Sequence, residues 1–261
     1  TALHNATASD CVAVGQQAGY SVSTGTRIIT IGTNSYDDSD TENDNIAIGY
    51  NALTTNTAGG ESNIAIGNYA GDAITSGDDN TLLGHTAGGA IAAGVANTFI
   101  GQEAGLTTAA GGSNTAVGNL ALRLNATTDD NTAVGRSALT ANTTGADNTA
   151  VGAFALDANT TGGSNVAIGW NTMGANTTGS RNVAIGNEAY QASDTESDNV
   201  AIGHASMTTN TAGGNQNVAV GNLTLDALTS ADGCAAVGYR AGTSVTTASN
   251  VTAIGFDAGR S

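Results

Sequence analysis

The sequence predicts an all-β fold, a parallel β-solenoid (β-roll) of about fifteen 17-residue coils, with three chains side by side. Three observations support this prediction. A glycine preceded by an aliphatic residue recurs every 17 or 18 residues over the whole chain. The chain has 37 glycines and no proline, so nothing interrupts a ladder of backbone hydrogen bonds. Aromatic residues make up only 4%, which is too few for a thick globular core.

The repeat is defined by its glycine, which serves here as position 0 of each unit. Twelve of the fourteen intervals between these glycines are 17 residues long and two are 18, and no residue range falls outside the array. The sequence therefore predicts a single continuous solenoid over residues 1–261. The reference glycines are Gly15, Gly32, Gly49, Gly67, Gly84, Gly101, Gly118, Gly135, Gly152, Gly169, Gly186, Gly203, Gly221, Gly238 and Gly255.

A short strand is predicted directly before each reference glycine. Positions −3 and −1 are β-branched or aliphatic in nearly every unit, and position −2 is mostly alanine. Alternate residues of a strand face opposite sides, so the bulky pair shares one face and the small residue takes the other. A small residue at position +3 predicts a second short extended piece after the glycine. Two such pieces and two turns complete one coil.

The interior of so thin a coil accepts the alanines and leaves the aliphatic face outside. A continuous apolar stripe on a protein surface is typical of an interface, and a closed threefold bundle covers one stripe per chain. We therefore expect a homotrimer. The predicted chain–chain interface consists of Val14, Ile31, Ile48, Ile66, Ile100, Val117, Val134, Val151, Ile168, Ile185, Ile202, Val220, Val237 and Ile254.

Charge and composition exclude several classes of function. The formal net charge is −16, and the six basic residues are dispersed arginines, so we expect no binding to nucleic acid. No run of 18 apolar residues is present, so we expect no membrane insertion. No nucleophile has a plausible base nearby and the acids fall in polar turns, so neither catalysis nor a cofactor is expected.

Asparagine occupies two positions of the coil. At position −4 it predicts a stacked amide ladder, formed by Asn45, Asn63, Asn80, Asn97, Asn114, Asn131, Asn148, Asn165, Asn182, Asn199 and Asn217. At position +7, as in Asn125, Asn142, Asn159 and Asn176, a turn with left-handed backbone is predicted. These four also head Asn-x-Thr glycosylation triplets, as do Asn5, Asn222 and Asn250.

The two cysteines replace the ladder asparagine in the first and fourteenth units. Thirteen rungs at about 4.8 Å separate Cys11 from Cys234, which is far beyond the reach of a disulfide within one chain. Two interpretations remain: buried free thiols, or a bond between chains.

Two acidic turns occupy the same part of the coil. Solvated carboxylates are the simpler interpretation, because the glycine and terminal glutamate of an EF-hand loop are missing. The alternative is a calcium site formed by Asp38, Asp40, Glu42 and Asp44 in one turn and by Asp194, Glu196 and Asp198 in the other.

The motif Asn63-Ile-Ala-Ile-Gly67, repeated as Asn182-Val-Ala-Ile-Gly186 and Asn199-Val-Ala-Ile-Gly203, resembles the head repeats of trimeric autotransporter adhesins of the Yersinia-adhesin type. Related repeats with Asn-Thr-Thr-Gly turns are similar to those of phage tail fibres. The resemblance implies a left-handed parallel β-roll, three chains side by side and a role in attachment.

Together these features predict a structural fibre segment of a homotrimeric tail fibre or surface adhesin, extracellular, on a cell surface or on a virion. Its partners would be copies of itself and a cell-surface receptor or glycan. Candidate receptor contacts are the aromatic residues Tyr50, Trp170, Tyr239 and Phe256. One alternative is a subunit of an extracellular filament or sheath that stacks end to end. Another, an ice-binding solenoid, is suggested by Thr81, Thr98, Thr115, Thr132 and Thr149.

Overall fold

The computed structural model describes residues 2, 9–56, 59–210 and 213–260. The chain forms two compact units, unit 1 (Thr1–Asn131) and unit 2 (Thr132–Ser261). Within the described ranges there is no helix, and hence none long and apolar enough to cross a membrane.

Unit 1 contains seven three-residue strands, and those that are consecutive within the unit pair in parallel. The pairing is in register, so that each position of one coil lies beside the same position of the next. The strands are β1 (Val12–Val14), β2 (Ile29–Ile31), β3 (Ile46–Ile48), β4 (Ile64–Ile66), β5 (Thr81–Leu83), β6 (Thr98–Ile100) and β7 (Thr115–Val117).

Unit 2 contains eight strands with the same parallel, in-register pairing. They are β8 (Thr132–Val134), β9 (Thr149–Val151), β10 (Val166–Ile168), β11 (Val183–Ile185), β12 (Val200–Ile202), β13 (Val218–Val220), β14 (Ala235–Val237) and β15 (Thr252–Ile254). The predicted parallel β-solenoid is therefore confirmed.

Each strand has one residue facing in and two facing out. In β9, Ala150 is fully buried, whereas Thr149 and Val151 are partly exposed. The same pattern holds where the central residue is large, because a glycine elsewhere in the coil leaves space for its side chain. Leu82 is buried beside Gly88, where an added Cβ would lie 2.8 Å from the Leu82 Cδ2.

The predicted second extended piece is wrong, because the described residues form turns rather than a strand after the reference glycine. Positions +2 and +4 have left-handed backbone, for example Ser137 at φ 59° and Leu139 at φ 52°. In a strand, neighbouring side chains point to opposite faces. Here the turn directs both Ala138 and Leu139 into the core, where each is fully buried.

The reference glycine is required by the stacking of the coils. Gly169 has φ +137°, and a Cβ added to it would lie 2.5 Å from the carbonyl oxygen of Gly186 in the next coil. Backbone therefore packs directly on backbone at this corner, and no side chain fits between.

The asparagines at position −4 are buried and linked from coil to coil. The backbone N–H of Asn182 donates to Asn165 Oδ1 (3.0 Å), and Asn165 Nδ2 donates to the carbonyl oxygen of Gly179 (2.9 Å). Each side chain thus satisfies backbone groups of the turn and of the neighbouring coil, which is the arrangement of a stacked amide ladder.

The asparagines at position +7 form a second buried ladder, and the predicted left-handed turn role is wrong for them. Asn159 Nδ2 donates to Asn142 Oδ1 (2.8 Å) and to the carbonyl oxygen of Gly162 (2.9 Å), and neither asparagine has a positive φ. One wall of the core is therefore polar. This explains how so narrow a coil folds with few large apolar residues.

Candidate interaction surface

The outer faces of the strands carry aliphatic side chains in both units. All fourteen predicted interface residues are exposed or partly exposed, and none is buried. The exposed fraction is 37% for Ile31, 39% for Ile168 and 42% for Val237. The strands contain no charged residue. Residues at the same position of the neighbouring coils form a column, and they cover part of each side chain. The result is an apolar surface that is only partly exposed.

This surface differs from what is usual for parallel sheets. Parallel strands generally have both faces covered, because each face is apolar. In this chain the rest of the coil covers the inner face only. The outer face is thus the clearest candidate for contact with another macromolecule.

Aromatic residues cluster at the corner that follows the strand. Six of the ten aromatic residues occupy positions +1 and +2, namely Tyr50, Tyr69, Phe154, Trp170, Tyr239 and Phe256. The ring centroids of Tyr50 and Tyr69 are 5.3 Å apart, and those of Tyr239 and Phe256 are 5.4 Å apart. The four predicted receptor candidates all lie on this corner and are exposed.

Sequence reasoning missed Tyr69 and Phe154, because they stand at position +2 rather than +1. The backbone N–H of Tyr69 donates to the carbonyl oxygen of Tyr50 in the preceding coil (2.9 Å). Position +2 of one coil therefore lies beside position +1 of the coil before. That one-residue offset is the signal needed to find both residues.

The acidic turns are not simply solvated, since their glutamates point inward. Glu196 is 2% exposed, and its Oε2 accepts hydrogen bonds from the backbone N–H groups of Asp194 (2.9 Å) and Thr195 (3.1 Å). Its Oε1 accepts one from Gly213 in the next coil (2.9 Å). Glu42 makes the corresponding bonds to Asp40, Thr41 and Gly59 in unit 1.

The remaining acids of these turns bind neighbouring coils. Arg27 pairs with Asp44 and Arg181 with Asp198, which lowers the pKa of each aspartate. Asp40 accepts a hydrogen bond from Ser23, and Asp194 accepts one from Thr177. Asp38 is exposed. Across the described ranges, no three His, Cys, Asp or Glu residues come together as metal ligands would.

Three half-buried aspartates have perturbed acidity. Burial raises the pKa of Asp72, Asp157 and Asp226, because a desolvated carboxylate is less stable than the neutral acid. Backbone N–H groups offset part of this effect at each site.

The cysteines are free thiols that lie within the coils. Cys234 is buried, and its Sγ lies 3.3 Å from the carbonyl oxygen of Ala248. Cys11 is partly buried, with its Sγ 3.6 Å from the carbonyl oxygen of Gly25. A bond between chains through Cys234 would require its coil to open. The bond through Cys11 remains a prediction.

The asparagines of the glycosylation triplets differ in their burial. Asn125, Asn142, Asn159 and Asn176 are fully buried, so a folded chain cannot present them to a transferase. Asn222 and Asn250 are exposed. Asn5 lies outside the described residues.

Comparison with protein-family models, with curated proteins and with solved structures finds no match to this chain. The resemblance to adhesin heads and tail fibres therefore stays a prediction that rests on the repeat motif.

Proposed function

We propose that this chain is a structural segment of a homotrimeric attachment fibre, a tail fibre or a surface adhesin outside the cell or on a virion. The outer strand faces of three chains cover one another, and the turns carry contacts in three copies. The observation that carries the proposal is the outer face of the parallel strands in both units, which has no charged residue and an aliphatic side chain at position −1 of every strand.

The free energy available from burying this face is of the same order as the cost of association. Burying the exposed part of one valine or isoleucine contributes on the order of 0.5–1 kcal/mol. Summed over the fourteen interface residues, this gain is comparable with the roughly 4–15 kcal/mol that association costs in lost freedom of motion. The strands themselves carry no charge, so the net charge of −16 lies on the turns and on the residues that flank the strands.

A trimer makes attachment multivalent. Three identical chains present every exposed turn three times, and linked weak contacts bind far more tightly than one alone. The stacked coils of each unit hold those turns at fixed spacing, because every coil is bonded to its neighbours in register.

The test is the mass of the assembly in solution. Light scattering should give three times the chain mass of 25.4 kDa. Ile185→Glu places a charge on the outer face and should yield monomers whose circular dichroism is unchanged. The matched control Asn187→Glu adds the same charge at an exposed position after the strand and should remain trimeric.

Two results would contradict the proposal. A monomeric wild-type chain at micromolar concentration would remove the basis for three-chain packing. Open-ended filaments in electron micrographs would instead support the alternative of a filament or sheath subunit.

A further inference from the structure

Three consecutive coils of unit 2 place a large, a small and a large residue in one column. Arg136, Ala153 and Trp170 all stand at position +1. Adjacent strands are about 4.8 Å apart, so the backbones of Arg136 and Trp170 are separated by about 10 Å with Ala153 between them. Alanine is much smaller than arginine or tryptophan, so the column is lowest at Ala153, and this surface site is named the Arg136–Trp170 notch.

The notch is held by backbone bonds between coils. The N–H groups of Phe154, Asn171 and Glu188 donate to the carbonyl oxygens of Arg136, Ala153 and Trp170, each at 3.0 Å. The backbone of the notch is therefore as rigid as the solenoid itself. The described part of the chain contains no pocket, so the notch is an open site on the surface.

Arg136 differs from the other arginines of the chain. Arg27, Arg123, Arg181, Arg240 and Arg260 each lie within 4 Å of a carboxylate oxygen. Among the described residues Arg136 has no such partner. Its guanidinium lies over the ring of Phe154, with Cζ 4.2 Å from the ring centroid. In a chain of net charge −16, an exposed cation held on an aromatic ring is poised for an anionic ligand.

Trp170 stands on the other side of Ala153 from Arg136 in this column. Its side chain is 46% exposed, and it is the only tryptophan in the chain. An exposed indole offers a flat apolar surface on which a ring can pack. The two side chains thus combine a charged donor of hydrogen bonds with a stacking surface, separated by one small residue.

We propose that the Arg136–Trp170 notch binds a sugar ring that bears a carboxylate, such as a uronic or sialic-type residue of a surface glycan. The carboxylate pairs with the guanidinium, which is suited to bidentate contact, and the ring packs on Trp170. This inference rests on the proposed function, since it names the chemistry that an attachment fibre would recognise.

Other ligand classes fit the notch less well. An extended peptide binds by adding a strand, but the N–H groups of Phe154, Asn171 and Glu188 are already used between coils. Nucleic acid requires several cations, and the notch has one. A neutral sugar leaves the guanidinium without a partner.

The test uses the fluorescence of Trp170, which reports on the notch alone. Glucuronate and N-acetylneuraminate should change its emission saturably, whereas glucose and acetate should not. Arg136→Gln should weaken the binding of the acidic sugars by a factor of at least about ten, because a charge-assisted hydrogen bond is lost. Ala153→Leu should fill the notch and abolish binding. Arg181→Gln makes the same charge change at a distant exposed site and should bind as the wild type does.

The inference is overturned if acidic sugars leave the emission unchanged, or if Arg136→Gln and Arg181→Gln bind equally. An equal response to glucose, or to an oligoglutamate peptide, would also overturn it. Light scattering of the same samples separates the two proposals. A trimer without sugar binding rejects only the notch, and a monomer that binds acidic sugar rejects only the trimeric fibre.

Discussion

Replacement of a reference glycine by alanine tests the stacking of the coils most directly. Gly186 in unit 2 has φ +137°, and a Cβ added there would lie 2.5 Å from the carbonyl oxygen of Gly203. The coils cannot move apart freely. The N–H groups of Gly186 and Gly203 donate to the carbonyl oxygens of Ile168 and Ile185, both at 2.8 Å.

Alanine at position 186 has two costs in free energy. Holding a non-glycine residue in so rarely populated a backbone region costs on the order of 1–3 kcal/mol. Forcing the extra methyl against fixed backbone adds about 1–3 kcal/mol more. We therefore expect Gly186→Ala to lower the free energy of unfolding by about 2–6 kcal/mol. That is a large share of the roughly 5–15 kcal/mol typical of a folded domain.

The assay is urea unfolding followed by circular dichroism, with Gly163→Ala as the matched control. Gly163 has no positive φ, its added Cβ would lie 3.1 Å from the Ala146 oxygen, and the corresponding residue of the preceding coil is Ala146 itself. The control should change stability by less than about 1 kcal/mol. If Gly186→Ala lowers the free energy of unfolding no more than Gly163→Ala does, the backbone-on-backbone contact between coils does not require glycine at this position.

Three further predictions follow from the interior and the turns. Asn165→Ala removes the donor to the carbonyl oxygen of Gly179 and the acceptor for the N–H of Asn182. Thermal unfolding should therefore show that the free energy of unfolding falls by about 2–5 kcal/mol. A fall of less than about 1 kcal/mol would contradict the asparagine ladder. The raised pKa of Asp72, Asp157 and Asp226 means that the folded chain binds protons more readily than the unfolded one. Stability should therefore fall as pH rises above about 4, the pKa of an unfolded aspartate, and Asp157→Asn should flatten that slope; a rise in stability above that pH would refute the assignment. Glu196→Gln puts an amide where the carboxylate accepts three N–H groups, so it should cost about 1–3 kcal/mol and speed hydrogen exchange at Gly213; unchanged exchange there would argue against the contact.

The inward glutamates show where sequence reasoning reached its limit. Glu42 and Glu196 stand among aspartates and serines, a composition that is typical of a solvated turn. Each instead reaches the backbone of the coil that follows, at Gly59 and Gly213. Those are the two 18-residue coils. The contact that bridges two coils leaves no local signal, because Gly59 and Gly213 are 17 residues away from the glutamates they bind.

The backbone after the reference glycine was also beyond prediction from the sequence. A small residue at position +3 fits a strand as well as a turn. Leucine at position +4, as in Leu139 and Leu156, does not suggest left-handed backbone, yet φ is 52° and 51° there. Neighbouring coils stabilise that conformation through hydrogen bonds such as the one from Leu139 N–H to the Ala155 oxygen (3.0 Å).

The period of the repeat, the parallel strands and the inward or outward direction of each strand residue follow from the sequence alone. A strand alternates every two residues, so these properties follow from order along the chain. The three-dimensional fold adds which side chains meet between coils and which of them are buried: the second asparagine ladder, the inward glutamates, and the Arg136 guanidinium over the Phe154 ring. In a solenoid each residue contacts residues about 17 positions away in the sequence, so the residues around it in the sequence do not reveal those contacts.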